Sequence, residues 1–131
     1  MILFSKPSIT KKEIKFVRQV LEQKVLTDGL FQNKAELSLK KKIKSNFVAL
    51  TQSCTDALEM AANLIQLQPG DEVIMPSFTF TSTANAVVLK GAKPVFVDIK
   101  TNDLQINEKK IERLITKKTK AIFVVHYGGN C

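Results

Sequence analysis

Residues 72–98 read EVIMPSFTFTSTANAVVLKGAKPVFVD, and the fold class can be inferred from this segment. It opens with a short apolar run, Glu72 to Met75, and closes with another at 94–98, both typical of strands. Between them, residues 79–90 are apolar enough for a buried helix, and Gly91 supplies the usual helix end. A strand, a helix and a second strand in this order predict two parallel strands joined by a crossover.

The flanking sequence continues this alternation. A capping box of Thr10 and Glu13 predicts a helix from Thr10 to about Val25, and residues 35–44 predict a second helix. The remaining predicted elements are strands at 47–51 and 120–126 and helices at 55–67 and 108–115. The sequence therefore predicts the α/β class, with a mainly parallel sheet, helices on both faces and a single domain over residues 1–131.

Composition places the chain among globular proteins. Of its 131 residues, 44% are hydrophobic, but no apolar run approaches the roughly 20 residues of a membrane span. The start has no basic segment followed by a signal-like apolar stretch, so a cytoplasmic protein without a membrane partner is predicted. The two cysteines, Cys54 and Cys131, form neither a disulfide framework nor a metal-ligand spacing.

The net charge of +8 raises the question of a nucleic-acid partner. Eighteen of the twenty basic residues are lysine, and only Arg18 and Arg113 are arginine. Recognition of phosphates and bases depends heavily on the bidentate arginine fork. The lysines are therefore interpreted as solvated helix faces, and no nucleic-acid partner is predicted.

The first candidate site is the loop at 52–56, which leads from a predicted strand into a helix. Unpaired backbone N–H groups and the helix dipole favour an anion there, and the Ser53 and Thr55 hydroxyls are further donors. An ordinary helix cap by Ser53 or Thr55 explains the same residues equally well. Cys54 at this position is a possible nucleophile, but with no histidine nearby in sequence a packing role is favoured.

Other candidates follow predicted strands. Phe78 and Phe80 come after the strand at 72–75, at the edge where open α/β sheets bind ligands, and an aromatic ring there can stack on a planar group. Taken alone, a core role is the better interpretation of both rings. Asp98 as a turn cap and His126 as a partly buried histidine are likewise favoured on spacing alone.

Taken together, these segments resemble the DegT/DnrJ/EryC1/StrS family of sugar aminotransferases, which have the aspartate aminotransferase (type I) fold. Their order and spacing match over nearly the whole chain. The resemblance implies that residues 1–131 are the amino-terminal part of the major domain. The segments that carry it are Thr27-Asp28-Gly29, residues 53–62, residues 68–80, residues 91–98 and Val125-His126-Tyr127-Gly128.

The resemblance implies a site for pyridoxal 5'-phosphate. Ser53, Cys54 and Thr55 match the loop that holds the cofactor phosphate through backbone N–H groups and the Thr55 hydroxyl. Phe80 matches the aromatic residue that stacks on the pyridine ring. Asp28 and Gly29 match a loop at the rim of the active site, where a contribution to substrate binding is expected.

The implied reaction is transamination of a nucleotide-linked keto sugar, with glutamate as amino donor and a homodimer as the full-length form. The opening Met1-Ile2-Leu3-Phe4 and the Ser53-Cys54-Thr55 version of the loop resemble one branch most. That branch aminates a dTDP-4-keto-6-deoxyhexose for enterobacterial common antigen and related surface polysaccharides.

The family also uses a lysine that forms a Schiff base with the cofactor and an acid on the pyridine nitrogen. Both family motifs lie downstream of the His126-Tyr127-Gly128 segment, and none of the eighteen lysines here matches the lysine motif. No catalytic residue is therefore predicted in this chain. The alternative interpretation is an inactive, truncated remnant that binds phosphate or cofactor weakly or pairs with a full-length relative.

Overall fold

A computed structural model describes residues 6–24, 26–27 and 29–130 of the chain. It forms two compact units, Met1–Leu50 and Thr51–Cys131. Each unit is described by itself below. No helix in the described ranges is long and apolar enough to cross a membrane.

The first unit consists of two helices, α1 (Lys11–Glu22) and α2 (Leu30–Ile43). The predicted capping box of α1 is confirmed: the Thr10 hydroxyl accepts a hydrogen bond from the N–H of Lys12, and the Thr10 N–H donates to Glu13 Oε2 at 2.7 Å. An aromatic pair, Phe16 and Phe31, lies with its ring centroids 5.9 Å apart. Neither helix has a fully buried residue, so this unit has little core of its own.

The predicted strand at 47–51 is wrong. Residues 47–51 take no strand conformation, and the ring of Phe47 is 88% exposed. The Ser45 hydroxyl donates to the Phe47 carbonyl at 2.7 Å and makes a local turn. An apolar run becomes a strand only where a neighbouring strand pairs with its backbone, and none pairs here within the described residues.

The second unit contains a three-stranded sheet with strand order β2-β1-β3. Both pairings are parallel, and Ile74 of β1 lies opposite Val95 of β2 and Ile122 of β3. Three of the four predicted strands, the parallel sheet and the α/β class are therefore confirmed, but the strand predicted at 120–126 is shorter than expected and ends at Ile122. The elements in chain order are α3 (Cys54–Leu64), β1 (Glu72–Pro76), α4 (Thr81–Val88), β2 (Lys93–Val97) and β3 (Thr119–Ile122).

The core is divided between the two faces of β1, because successive strand residues point to opposite sides. Val73 and Met75 are fully buried in a cluster with Ala62 of α3 and Val87 of α4. Ile74 is fully buried in the other cluster, with Val97, Ile106, Ile111 and Leu114. Helical segments therefore cover both faces, as predicted.

The predicted helix at 108–115 is two short 3₁₀ turns, Glu108–Lys110 and Glu112–Leu114. Its start is fixed by a tertiary bond from the Asn107 N–H to the Asp98 carbonyl at 2.9 Å, not by an Asn107 side-chain cap. The tighter turns place Ile111 and Leu114 against the sheet.

Candidate functional site

The amino terminus of α3 is capped by Ser53. The Ser53 hydroxyl accepts the N–H of Asp56 at 3.1 Å and donates to the Asp56 carboxylate at 2.9 Å. The helix-cap interpretation of Ser53 is therefore confirmed, and its part in a phosphate site stays a prediction. The N–H groups of Cys54 and Thr55, in the first turn, make no hydrogen bond to any described residue, as is usual for the first donors of a helix.

Phe80 lies where the chain passes from β1 into α4. It is the N-cap residue of α4, with extended backbone, and its carbonyl accepts the N–H of Thr83 at 3.0 Å. Its side chain is 73% exposed. A core role, the better interpretation from sequence alone, is therefore wrong for this ring, which offers an open aromatic face.

Cys54, Thr55 and Phe80 line one cavity of about 580 Å³. This volume lies within the usual range for sites of small ligands, about 300–1,000 Å³. The resemblance assigns the 53–55 loop and Phe80 to one cofactor, and the two do lie at one cavity, with Ser53 next to the lining residues and not among them. Cys54 is exposed and makes no hydrogen bond with His126, another lining residue, in the described structure.

Residues 124–128, which follow β3, form another wall of this cavity. The last sheet bond runs from the Phe123 N–H to the Ile74 carbonyl at 2.8 Å, and the chain then turns at Tyr127–Gly129. Gly128 has a φ of 67°, in the left-handed region that glycine adopts without strain. The Tyr127 ring packs on Phe78 with centroids 4.4 Å apart and planes tilted by 40°.

Several polar residues near the cavity were not identified as site residues from the sequence. Ser82 and Thr83 are buried in α4 and line the cavity, and the hydroxyls of Thr79 and Thr83 lie 2.8 Å apart. Gln105, buried in the loop between β2 and β3, donates to the Tyr127 carbonyl at 3.2 Å. The spacing of Thr79 and Thr83 is a helical one, whereas only the tertiary fold brings Gln105 to Tyr127.

Asp98 is not among the residues that line the cavity. The Lys110 ammonium donates to its carboxylate at 2.6 Å. This bond and the charge of Lys110 lower the pKa of Asp98, and Arg113 adds a smaller effect in the same direction. The predicted turn-cap role of the Asp98 side chain is wrong: its carboxylate binds Lys110, and it is the backbone carbonyl of Asp98 that accepts the Asn107 N–H.

The predicted substrate-binding pair lies in the first unit. Asp28 is outside the described residues. Gly29 is the N-cap of α2 and lines a small cavity of about 140 Å³ together with Thr27 and Phe31.

The cavity between α3 and α4 has neither lysine nor arginine among its described lining residues. An anion there would depend on the free N–H groups and the dipole of α3, which together favour negative charge at a helix start. The carboxylate of Asp56, in the first turn of α3, accepts the Ser53 hydroxyl. The site is therefore suited to a phosphate group beside a planar apolar ring.

Comparison with known proteins gives close relatives over almost the whole chain. The spore coat polysaccharide biosynthesis protein SpsC of Bacillus subtilis (strain 168) is 40% identical over 126 residues, which are 96% of this chain and 32% of that protein. The UDP-4-amino-4-deoxy-L-arabinose–oxoglutarate aminotransferase of Shewanella sediminis (strain HAW-EB3) is 37% identical over 124 residues, or 95% and 32% of the two chains.

Among solved structures, Spr1654 of Streptococcus pneumoniae has a TM-score of 0.90 at 34% identity, over 99% of this chain and 33% of that one. It has been solved in a form with PMP and in a form with PLP. The chain thus spans about a third of the length of the relatives it matches. The sequence profile of the DegT/DnrJ/EryC1/StrS aminotransferase family matches residues 7–131, and the chain belongs to that family.

Proposed function

We propose that this chain forms the cofactor-binding part of a sugar aminotransferase that uses pyridoxal phosphate. The observation that carries the proposal is the meeting of the α3 amino terminus and the exposed Phe80 ring in one cavity. A helix start binds phosphate, and an aromatic face binds a planar ring. The cofactor of the family has both groups in one molecule.

The described residues that line the cavity fit the phosphate and the ring of this cofactor. The N–H groups of Cys54 and Thr55 and the Thr55 hydroxyl would hold the phosphate, while Ser53 keeps the first turn of α3 in place through Asp56. Phe80 would lie against the ring. The apolar side chains of Val124 and Val125 would exclude water from the opposite side.

When bound, pyridoxal phosphate supplies an electron-withdrawing ring that stabilises negative charge on a substrate carbon. The part of this chain is to bind and orient that group. Fixing the phosphate at Thr55 and the ring at Phe80 restricts both translation and rotation, so the reacting end of the ring points in one direction.

We further propose that the substrate is a nucleotide-linked keto sugar, a dTDP-4-keto-6-deoxyhexose, aminated for a surface polysaccharide with glutamate as donor. The names of the relatives support the class: one is a protein of spore coat polysaccharide biosynthesis, and one is an oxoglutarate-dependent aminotransferase named for a UDP-linked amino pentose. Asp28 and Gly29 are the residues of this chain that we assign to the sugar substrate.

Calorimetric titration with pyridoxamine 5'-phosphate tests the cofactor proposal, because this amine form cannot react with surface lysines as an aldehyde does. We expect saturable binding to the 131-residue chain and a loss of about tenfold or more in affinity in the Thr55→Val, Phe80→Leu double variant. Pyridoxamine, which lacks the phosphate, is the control ligand. Equal affinity of the double variant and the unchanged chain would contradict the proposal.

The substrate proposal needs a separate assay. A polypeptide that contains this chain is incubated with pyridoxal phosphate, ¹⁵N-labelled glutamate and either a dTDP-4-keto-6-deoxyhexose or a UDP-4-keto pentose. We expect ¹⁵N in the dTDP-linked product. Label only in the UDP-linked sugar would move the proposed substrate to the pentose and leave the cofactor site unaffected.

A further inference from the structure

Gln105 connects the loop between β2 and β3 to the wall of the cavity. It is only 7% exposed, in a loop closed by the bridge between Ile99 and Ile106. Its side-chain nitrogen donates to two carbonyls, those of Asp103 and Tyr127, each at 3.2 Å. A primary amide nitrogen has two hydrogens, so both bonds can exist at once.

The wall that Gln105 reaches has few other anchors. Beyond the Phe123–Ile74 bond, residues 124–126 donate no backbone hydrogen bond to the sheet in the described structure. The turn that follows has its own local bond, from the Gly129 N–H to the His126 carbonyl at 3.0 Å. Two contacts join this turn to residues distant in sequence: the Gln105 amide on the Tyr127 carbonyl and the packing of Tyr127 on Phe78.

We propose that Gln105 is a positioning residue for the cofactor cavity: its amide fixes the Tyr127 carbonyl and thereby holds the 124–128 wall at its distance from Phe80. The consequence for ligand binding rests on the proposed function. The effect on Tyr127 does not, because it is a property of the chain without ligand.

The amino-acid composition allows this proposal to be tested by tyrosine fluorescence. The chain has one tyrosine and no tryptophan, so its intrinsic fluorescence comes from Tyr127 alone. Quenching by acrylamide measures how open the wall is to solvent. Gln105→Met keeps the length of the side chain and removes both donors. Gln68→Met is the control, because it makes the same change at an exposed position before β1.

We expect Gln105→Met to raise the quenching constant of Tyr127 about threefold, and to weaken pyridoxamine 5'-phosphate binding about fivefold, with far-UV circular dichroism unchanged. Gln68→Met should match the unchanged chain in both measurements. If the unchanged chain binds no pyridoxamine 5'-phosphate but Gln105→Met still raises the quenching, the proposed function fails and the role of Gln105 stands. Quenching of Gln105→Met equal to that of Gln68→Met overturns the proposal.

A second variant separates hydrogen bonding from filling of space. Gln105→Glu has no donor when ionised and one when protonated. Its Tyr127 quenching should therefore be high at neutral pH and fall on acidification, a pH dependence that Gln105→Met lacks. The same pH profile in both variants would contradict a hydrogen-bonding role.

Should neither variant fold, the unchanged chain still decides the matter. The side-chain amide protons of Gln105 should exchange with solvent about tenfold more slowly than those of exposed glutamines such as Gln68. Exchange of Gln105 as fast as that of Gln68 would show that the bond to Tyr127 is not maintained in solution, and the proposal would fall.

Discussion

Thr55 and Phe80 line the same cavity, although one lies in the first turn of the helix that precedes the sheet and the other follows its central strand. The N–H groups of Cys54 and Thr55 bond no described residue, and Phe80 presents a largely exposed ring. Each residue taken alone has a structural explanation. Their common cavity is what favours a ligand that combines an anion with a planar ring.

Phe80→Leu should weaken pyridoxamine 5'-phosphate binding several-fold, because loss of an aromatic partner typically costs about 0.5–1.5 kcal/mol. Since the ring is 73% exposed, the free energy of unfolding should change by no more than about 0.5 kcal/mol. Affinity is measured by calorimetry and stability by urea unfolding. Phe96→Leu, at a half-exposed phenylalanine outside the cavity, is the control and should leave affinity unchanged.

Thr55→Val should remove one donor to the phosphate and keep the shape of the side chain. We expect about a fivefold loss of affinity for pyridoxamine 5'-phosphate. Affinity for pyridoxamine, which has no phosphate, should not change. An equal loss for both ligands would mean that the substitution disturbs the cavity as a whole and that the hydroxyl does not act on the phosphate.

Ser53→Ala should act on stability, because the Ser53 hydroxyl is engaged with the N–H and the carboxylate of Asp56. Loss of an N-cap of this kind typically lowers the free energy of unfolding by about 1 kcal/mol. Ser53→Asn, which can also cap the helix, should retain most of the stability that Ser53→Ala loses. Urea unfolding of the three chains decides, and an unchanged midpoint for Ser53→Ala would show that the cap is not formed in solution.

Lys110→Met should raise the pKa of Asp98, because the Lys110 hydrogen bond is the largest cause that lowers it. A carboxyl with a lowered pKa in the folded chain stabilises that chain above the unfolded-state pKa, and this contribution is lost as pH falls through the lowered value. The variant should therefore be less stable at neutral pH and equally stable in strong acid. NMR titration of the Asp98 carboxyl carbon measures the shift, and Arg113→Met should produce a smaller one.

Much of the sheet was predictable, because β1 and β2 are continuous apolar runs with a helix and a glycine between them. The strand expected at 47–51 was not, since pairing depends on a neighbour that no local pattern reveals. The two 3₁₀ turns at 108–114 have an apolar spacing that also suits an α-helix, so the local pattern did not distinguish them, and the Asn107–Asp98 bond and the packing of Ile111 are tertiary contacts that it does not reveal.

The candidate site was predictable only in part, for a related reason. Helix starts and strand ends mark the loop at 53–55 and Phe80 as candidates, but the assignment of Thr55 and Phe80 to one cofactor came from the resemblance to the family. That the Ser53 hydroxyl bonds Asp56 is known only from the folded chain, because the sequence allows a cap by either Ser53 or Thr55. Gln105 was missed because its partner, Tyr127, is distant in sequence and offers only a backbone carbonyl, which every residue has.

The most direct test of the cofactor site follows the backbone amides of an ¹⁵N-labelled chain during titration with pyridoxamine 5'-phosphate. We expect the largest chemical-shift changes at Cys54 and Thr55, with smaller changes at Phe80 and in the 124–128 wall, and we expect pyridoxamine without phosphate to leave the shifts of Cys54 and Thr55 unchanged. Shift changes scattered over the lysine-rich surfaces, with Cys54 and Thr55 unaffected by either ligand, would contradict it.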